Sequence, residues 1–388
     1  YEDYIENDGV EDSRLHALRV TMTKTNEKIV LDFTGTDPEA QGPINWAIDE
    51  ADGRYFRKWM APVLRSLADT PERAAEIDCN EGVLDILEVK FPEKGTLITP
   101  TFGKPTGMRF FLMLRSLGIF AACLTKATSG RMPADHETIR IWGLVGGKSS
   151  EDFFLFREVL GGGGPGRPWA DGSDVVHIVP NSRNLPAEFS ETRYPIFIEK
   201  LGLKEDSAGA GYRRGGFGYD KQIKTLVEAR LISNADRSFL NCYGAYGGKA
   251  GASYSVTVVD KGGNENEHPG MCDTVMVPGE DSVRIVTTGG GGWGDPLKRE
   301  IELVIYDLQC GLISEKSAKQ NYGVIANLEG RKWIANIDET LRLREDMSNS
   351  QRRLPMFDRG EKFSKVKEKG MIKYPKDWTD PDEGWYLN

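Results

Sequence analysis

The chain has 388 residues, 39% of them hydrophobic and 28% charged, with a formal net charge of −9. That length carries two or three packed units, and the composition is that of a soluble globular protein. The acidic balance excludes nucleic acid or an anionic membrane as the main partner, because both demand a positive face.

Five cysteines, Cys79, Cys123, Cys242, Cys272 and Cys310, are widely spaced and form no CxxC pair. This argues against a disulfide framework or a structural zinc and fits a reducing, cytoplasmic setting. The chain opens at Tyr1 rather than Met, and no secretory leader is read. Its start reads as a processed end or as part of something longer.

In chain order, residues 14–36 predict a β-hairpin, with Leu18, Val20 and Met22 alternating before a TNEK turn and Ile29, Leu31 and Phe33 after it. Residues 46–68 predict a helix that Gly53 weakens near its start. Residues 83–91 predict a strand and 108–127 a core helix, whose apolar run at 110–124 is too short to cross a bilayer and contains Arg115. Glycine clusters follow at 161–166, 209–218, 244–251 and 289–294, with no fixed repeat. Between them, 175–179, 194–203, 221–233 and 253–260 read as strands. A helix is expected at 295–311, with Asp295 as cap, Pro296 in its first turn and Gly311 as stop. A second is expected after Ser314, ending at Gly323, and a third near 334–350. The fold class expected is α+β, with mixed, mainly antiparallel sheets, long glycine-rich loops, packed helices and a helical, partly extended C-terminal tail. The expected division is 1–140 (hairpin and helix), 141–294 (sheet-rich) and 295–388 (helical segment and tail).

The phosphate-loop candidates fail on detail. In WGLVGGKSS (142–150), Trp142 occupies the place of the glycine that a Walker loop needs. GGGGPG (161–166) fits GxGxxG, yet Pro165 lacks an N–H and no strong helix follows. LGLKEDSAGAGYRRGGFGYDK (201–221) puts Arg214 where the third glycine belongs. Its glycine N–H groups with Arg213 and Arg214 suit a carboxylate or phosphate, whereas an Asp206–arginine pair would make it a structural loop; both readings stay open. His16 and His268 read as surface residues. His177 precedes a polar stretch holding Asn181, Arg183, Asn184, Glu188 and Glu191, suited to a polar substrate, a metal, or a loop tied by its own hydrogen bonds. Ser182 and Ser207 lack a GxSxG elbow. The candidate catalytic residues are therefore His177, Glu188, Asp206 and Arg213. The candidate substrate-binding residues are Asn181, Arg183, Asn184, Ser207, Arg214, Gly215 and Gly216; no metal is assigned. Tyr194, Trp169 and Trp293 read either as an aromatic pocket or as core.

The order of motifs resembles the hydantoinase B/oxoprolinase family: YEDYIENDGV, VLDFTGTDPEAQGPIN (30–45), NEGVLDILEVKFPEKGTLITP (80–100), GGGGPGRPWADG (161–172), NLPAEFSETRYPI (184–196), DSAGAGYRRGGFG (206–218), and TTGGGGWGDPLKRE with YDLQCGLISEKSAKQNYGV (287–324). Members usually carry some two hundred further residues before this point, so a separate chain or segment is expected to supply that missing N-terminal half. The resemblance implies a hydantoinase A-type partner that binds ATP with Mg, and a divalent metal is allowed for. It implies a phosphorylated intermediate held from bulk water. The substrate is either a ketone (acetone or acetophenone type), carboxylated through an enol phosphate, or a cyclic amide such as 5-oxoproline or a hydantoin, opened by water. The NSRNLPAEFSETRYP form leans towards the carboxylase branch. A non-catalytic scaffold for the ATPase is the alternative from another class.

Overall fold

A computed structural model describes residues 1–10, 14–68, 70–77, 80–178, 183–350, 353–376 and 378–387. Its contacts divide the chain into two compact units, Tyr1–Met132 with Val366–Gly384, and Pro133–Lys365 with Trp385–Asn388.

In the first unit, Glu2–Ile5 pairs antiparallel with His16–Arg19. The hairpin Thr21–Lys24/Ile29–Asp32 gains a parallel third strand, Leu87–Lys90. The acidic opening segment is buried rather than solvated: Glu2, Asp3 and Asp8 are at most 3% exposed, and His16 is fully buried. His16 therefore departs from its surface reading, because strand pairing with Ile5 carries it inside. Asp8 accepts from the Val10 and Gly42 N–H groups, and the other two acids are answered by arginine. Arg19 Nε donates to Glu2 Oε2 (2.8 Å) and Nη1 to Asp37 Oδ1 (2.6 Å), and Arg115 lies 3.1 Å from Asp3.

The helix expected from residue 46 begins at Arg54 and runs to Arg65. Before it, Trp46 and Ile48 N–H groups donate to Leu97 and Ile98 carbonyls, and a single tight turn, Glu50–Gly53, leads into the helix. Gly53 sits at φ 67° with the Phe91 ring 2.5 Å from where a Cβ would stand, so only glycine makes this entry turn. The segment expected as one strand at 83–91 is a helical turn, Val83–Ile86, leading into Leu87–Lys90. Phe110–Ala127 is long and apolar enough to cross a membrane, but two-thirds of it is buried inside the protein, as a core helix is.

The second unit is built on two antiparallel sheets. One has the order Met271–Val277, Ala229–Asn234, Ile141–Gly146, Phe154–Val159; the other Glu265–His268, Ser255–Val259, Ser282–Val286, Tyr219–Thr225, Ile196–Leu203. Alternating residues of both share one core: Trp142, Leu144, Phe156 and Leu231 from the first, and Ile196, Ile223, Val256, Val283 and Ile285 from the second. The run at 221–233 splits between the sheets, turning at 226–228. Across the core, Lys221 Nζ meets both Glu158 oxygens at 2.8 and 2.6 Å, a pair closed off from water.

Of the strand expected at 175–179, residues 175–178 form none, Val176 making a single bridge to Gly162, and residue 179 lies outside the described residues. The stretch docks on glycine backbone instead of a sheet edge. The helix expected at 295–311 is interrupted. Asp295 Oδ1 caps a short turn at Pro296–Lys298 by accepting from Leu297 N (3.0 Å), and the α-helix restarts at Ile301–Gln309. Arg299 between them is extended because its buried guanidinium is drawn to two carboxylates. Glu315–Tyr322 follows as expected, with Ser314 accepting from Ser317 N and Gly323 closing at φ 60°. Asn336 caps Ile337–Asn349.

Candidate functional site

The four glycine clusters meet one another inside the second unit. Their backbones lie so close that side chains are excluded. A Cβ at Gly163 would stand 1.9 Å from Gly216 O, at Gly215 2.0 Å from Gly290 O, at Gly216 1.9 Å from Ser173 O, and at Gly290 1.9 Å from Gly164 O. Lateral backbone bonds join the layers: Gly163 N to Thr288 O, Gly216 N to Gly164 O, Gly290 N to Gly216 O, Gly209 N to Gly290 O and Gly292 N to Lys249 O, all 2.8–3.0 Å. These N–H groups are spent on carbonyls, so the segments do not offer the open nest of donors that a phosphate requires. Helices Ile301–Gln309 and Glu315–Tyr322 cover one flank through Val304, Leu308 and Tyr322, packed with Phe217 and Ala210.

The residues singled out at 206–216 are the fittings of this core. The Asp206 backbone, at φ 59°, donates to Leu312 O, and its carboxylate accepts from Ser314 N (2.8 Å). Ser207 Oγ donates to Lys204 O and accepts from Gly218 N. Arg214 is buried, with Nη1 3.1 Å from Asp174 and Nε 3.3 Å from Asp307. Asp307 also meets Arg299 (3.0 Å), which grips Asp171 with both Nη atoms at 2.8 and 2.9 Å. Burial pushes the Asp307 carboxyl above its ordinary value despite these two arginines. Arg213 is half-buried against the Tyr212 ring at 4.7 Å, and its Nε finds no hydrogen-bond partner among the described residues.

The second candidate cluster is anchored differently. His177 Nε2 lies 2.9 Å from Asn184 Oδ1, and Asn184 Nδ2 donates to Val159 O (3.2 Å). Nε2 donates to the amide oxygen, and Nδ1 is buried without a partner among the described residues. Arg183 and Glu188 are exposed on the same stretch, Glu188 in the first turn of Ala187–Arg193. Asn181 lies outside the described residues, as does Ser182. Beneath the loop sits a carboxylate that sequence reasoning missed. Glu137, 2% exposed, accepts from Ile178 N (3.0 Å) at Oε1 and from Arg140 Nη1 at Oε2; Arg140 also donates to Thr288 Oγ1. Burial raises the Glu137 carboxyl to about 7, against the pull of Arg140 and the Ile178 N–H. Its signal was the charge-rich run ADHETIR between a core helix and a strand, where Asp135, Glu137 and Arg140 all turn out buried. Of the aromatic candidates, Tyr194 packs on Phe156 in the sheet core, Trp169 is exposed, and Trp293 stacks on Tyr246. Among the described residues no group of three or more His, Cys, Asp or Glu could hold a metal.

Comparison with known proteins gives this arrangement a family. A Pseudomonas sp. protein, provisionally assigned as the B-type component of a D-/L-hydantoinase, is 28% identical over 316 residues, 79% of this chain and 51% of that protein. The crystal structure of ATP-dependent caprolactamase from Pseudomonas jessenii superposes with a TM-score of 0.69 and 21% identity, over 84% of this chain and 56% of that one. The nucleotide-free structure of acetone carboxylase superposes with a TM-score of 0.71 and 15% identity, over 99% of this chain and 60% of that one. At those identities the two structures show a shared fold. The chain spans about half the length of the curated relatives it matches. Residues 1–296 match the family profile described as Hydantoinase B/oxoprolinase, and the chain belongs to that family.

Proposed function

We propose that the chain is the hydantoinase B-like part of an ATP-dependent enzyme that activates a small carbonyl compound by phosphorylation. The observation that carries this reading is the family match over residues 1–296. We place ATP and its Mg on a hydantoinase A-type partner, because the glycine segments here have spent their N–H groups on one another. We place the remainder of the substrate site on the residues that precede this region in longer relatives. The chain's own contribution is the polar loop. His177, oriented by Asn184, is the proton carrier of this reading, with Arg183 and Glu188 on the exposed side. Asn181 belongs to the same proposal by its place in the chain. Asp206, Ser207, Arg213, Arg214, Gly215 and Gly216 form the frame that holds this loop's support.

The substrate we infer first is a cyclic amide, opened by water after its oxygen is phosphorylated, as the names hydantoinase and caprolactamase suggest. Ketone carboxylation is the second reading. It is favoured by the reach of the acetone carboxylase superposition, 99% of this chain, which takes in the segment beyond residue 296. The test is ATP turnover by the reconstituted complex with a lactam or hydantoin, or with acetone or acetophenone plus bicarbonate. Lactam-dependent turnover supports the first reading, and turnover needing both ketone and bicarbonate the second. Turnover with neither overturns the assignment. His177→Ala and Asn184→Ala are each expected to lower kcat by about 100-fold or more with the complex intact, as loss of a positioned proton carrier does.

A further inference from the structure

We propose that the second unit carries a binding slot for a planar ring carboxylate, distinct from the His177 loop. A cleft of about 300 Å³ opens beside the glycine core. That volume is at the small end of ligand pockets and admits one ring with a short substituent.

Its floor is aromatic. The Tyr246 and Trp293 rings lie parallel, centroids 5.4 Å apart at 15°. Tyr246 is held at φ 53°, a conformation that side-chain-bearing residues seldom adopt, while its N–H donates to Met356 O (2.7 Å). Tyr212 supplies a further wall. Gly294, at φ 76°, lets the backbone pass: a Cβ there would stand 3.0 Å from Tyr212 Cβ. The roof is aliphatic. Leu354 and Leu387 come from two paired terminal segments, Leu387 N donating to Leu354 O (2.9 Å) and Met356 N to Trp385 O (2.9 Å). Both leucines reach within 3.3 Å of the Cβ place of Gly247, so the roof sits directly on the glycine backbone.

Two charged groups line the cleft. Asp295 is committed, since its carboxylate accepts from Leu297 N and acts on the Arg344 guanidinium. Lys298 is exposed and, among the described residues, makes no ion pair or side-chain hydrogen bond. An aromatic slab, an aliphatic roof and one uncommitted ammonium select a flat ring for stacking and an anion for the amine. A cationic ligand would meet Lys298 as a like charge. A neutral ring would leave the ammonium unused, and a small aliphatic acid would leave the slab uncovered. The slot stands on geometry alone and does not depend on which reaction the assembled enzyme performs.

The test is ligand-observed NMR and calorimetry on the full chain, with benzoate as the probe and benzamide and acetate as controls. Benzoate is expected to bind saturably, benzamide at least about tenfold more weakly, and acetate not at all. Lys298→Gln should bring benzoate down to the benzamide level and leave benzamide unchanged. Leu354→Trp, which fills the slot, should remove both; Leu387→Phe serves the same purpose should the first variant fail to fold. Absence of saturable benzoate binding to the folded chain would overturn the proposal, as would benzoate affinity unchanged in Lys298→Gln.

Discussion

A minority of the second unit's charged residues is buried, and which partners these meet decides what each is good for. Arg214 shares Asp174 and Asp307, and Asp307 already sits above its ordinary pKa because burial outweighs its arginines. Arg214→Ala leaves Asp307 with Arg299 alone, and we expect a loss of about 3 kcal/mol in urea unfolding. Arg213→Ala, which removes a guanidinium resting on Tyr212, should cost less than about 1 kcal/mol. Adjacency of the two arginines along the chain hides this difference; it arises because one points at acids supplied by residues 40 and 93 positions away.

Glu137 yields a pH dependence whose sign is opposite to that of an ordinary salt-bridged acid. Its folded pKa of about 7 lies above the 4.5 of an unperturbed glutamate, so the folded state holds the extra proton between those values. Stability contributed by this group is therefore greatest below about pH 4.5 and declines as pH rises towards 7. Glu137→Gln should flatten that decline, by about 3 kcal/mol across the window, when unfolding free energy is followed from pH 4.5 to 7.5. An unchanged slope in the variant would exclude Glu137 as its source.

Among the elements, the glycine clusters carry the heaviest consequence. They look like ligand loops in sequence because a phosphate and a neighbouring backbone make the same demand, close approach without a Cβ. The structure satisfies that demand with backbone: Gly290→Ala would push a methyl to 1.9 Å from Gly164 O, and we expect no soluble folded protein. Gly202→Ala, on the strand Ile196–Leu203 with nothing within 4 Å of its Cβ place, should be tolerated, with a melting temperature equal to or slightly above the parent. The sheets obey a local code more faithfully. Alternation and turn residues disclosed the hairpin Thr21–Lys24/Ile29–Asp32, the strand Ser255–Val259 and the caps at Asp295 and Ser314, since each depends on neighbours in the chain. The break at Arg299 was hidden because its cause, Asp171, is remote in sequence. The Lys221–Glu158 pair, which bridges the two sheets, was hidden for the same reason. Lys221→Met alone should destabilise by about 3 kcal/mol by stranding Glu158, and adding Glu158→Leu should recover most of it.

For the whole molecule, motif order along the chain disclosed the family, and the profile match over residues 1–296 shows it. The candidate site was legible only as far as the His177–Asn184 contact, a short-range pairing within one loop. Glu137 stayed out of view because it lies 40 residues before His177 and meets the loop through a backbone N–H. The chain corresponds to about half of its curated relatives, and its glycine segments bond backbone to backbone. We propose that it shares a site completed by other polypeptide and draws its ATP from a partner. The most direct measurement is steady-state ATP hydrolysis, with and without lactam, hydantoin or ketone plus bicarbonate, by the purified chain alone and by the reconstituted complex. The expected result is no nucleotide turnover by the chain alone and substrate-dependent turnover by the complex. Substrate-dependent ATP hydrolysis by the isolated chain, at the rate of the complex, would contradict it.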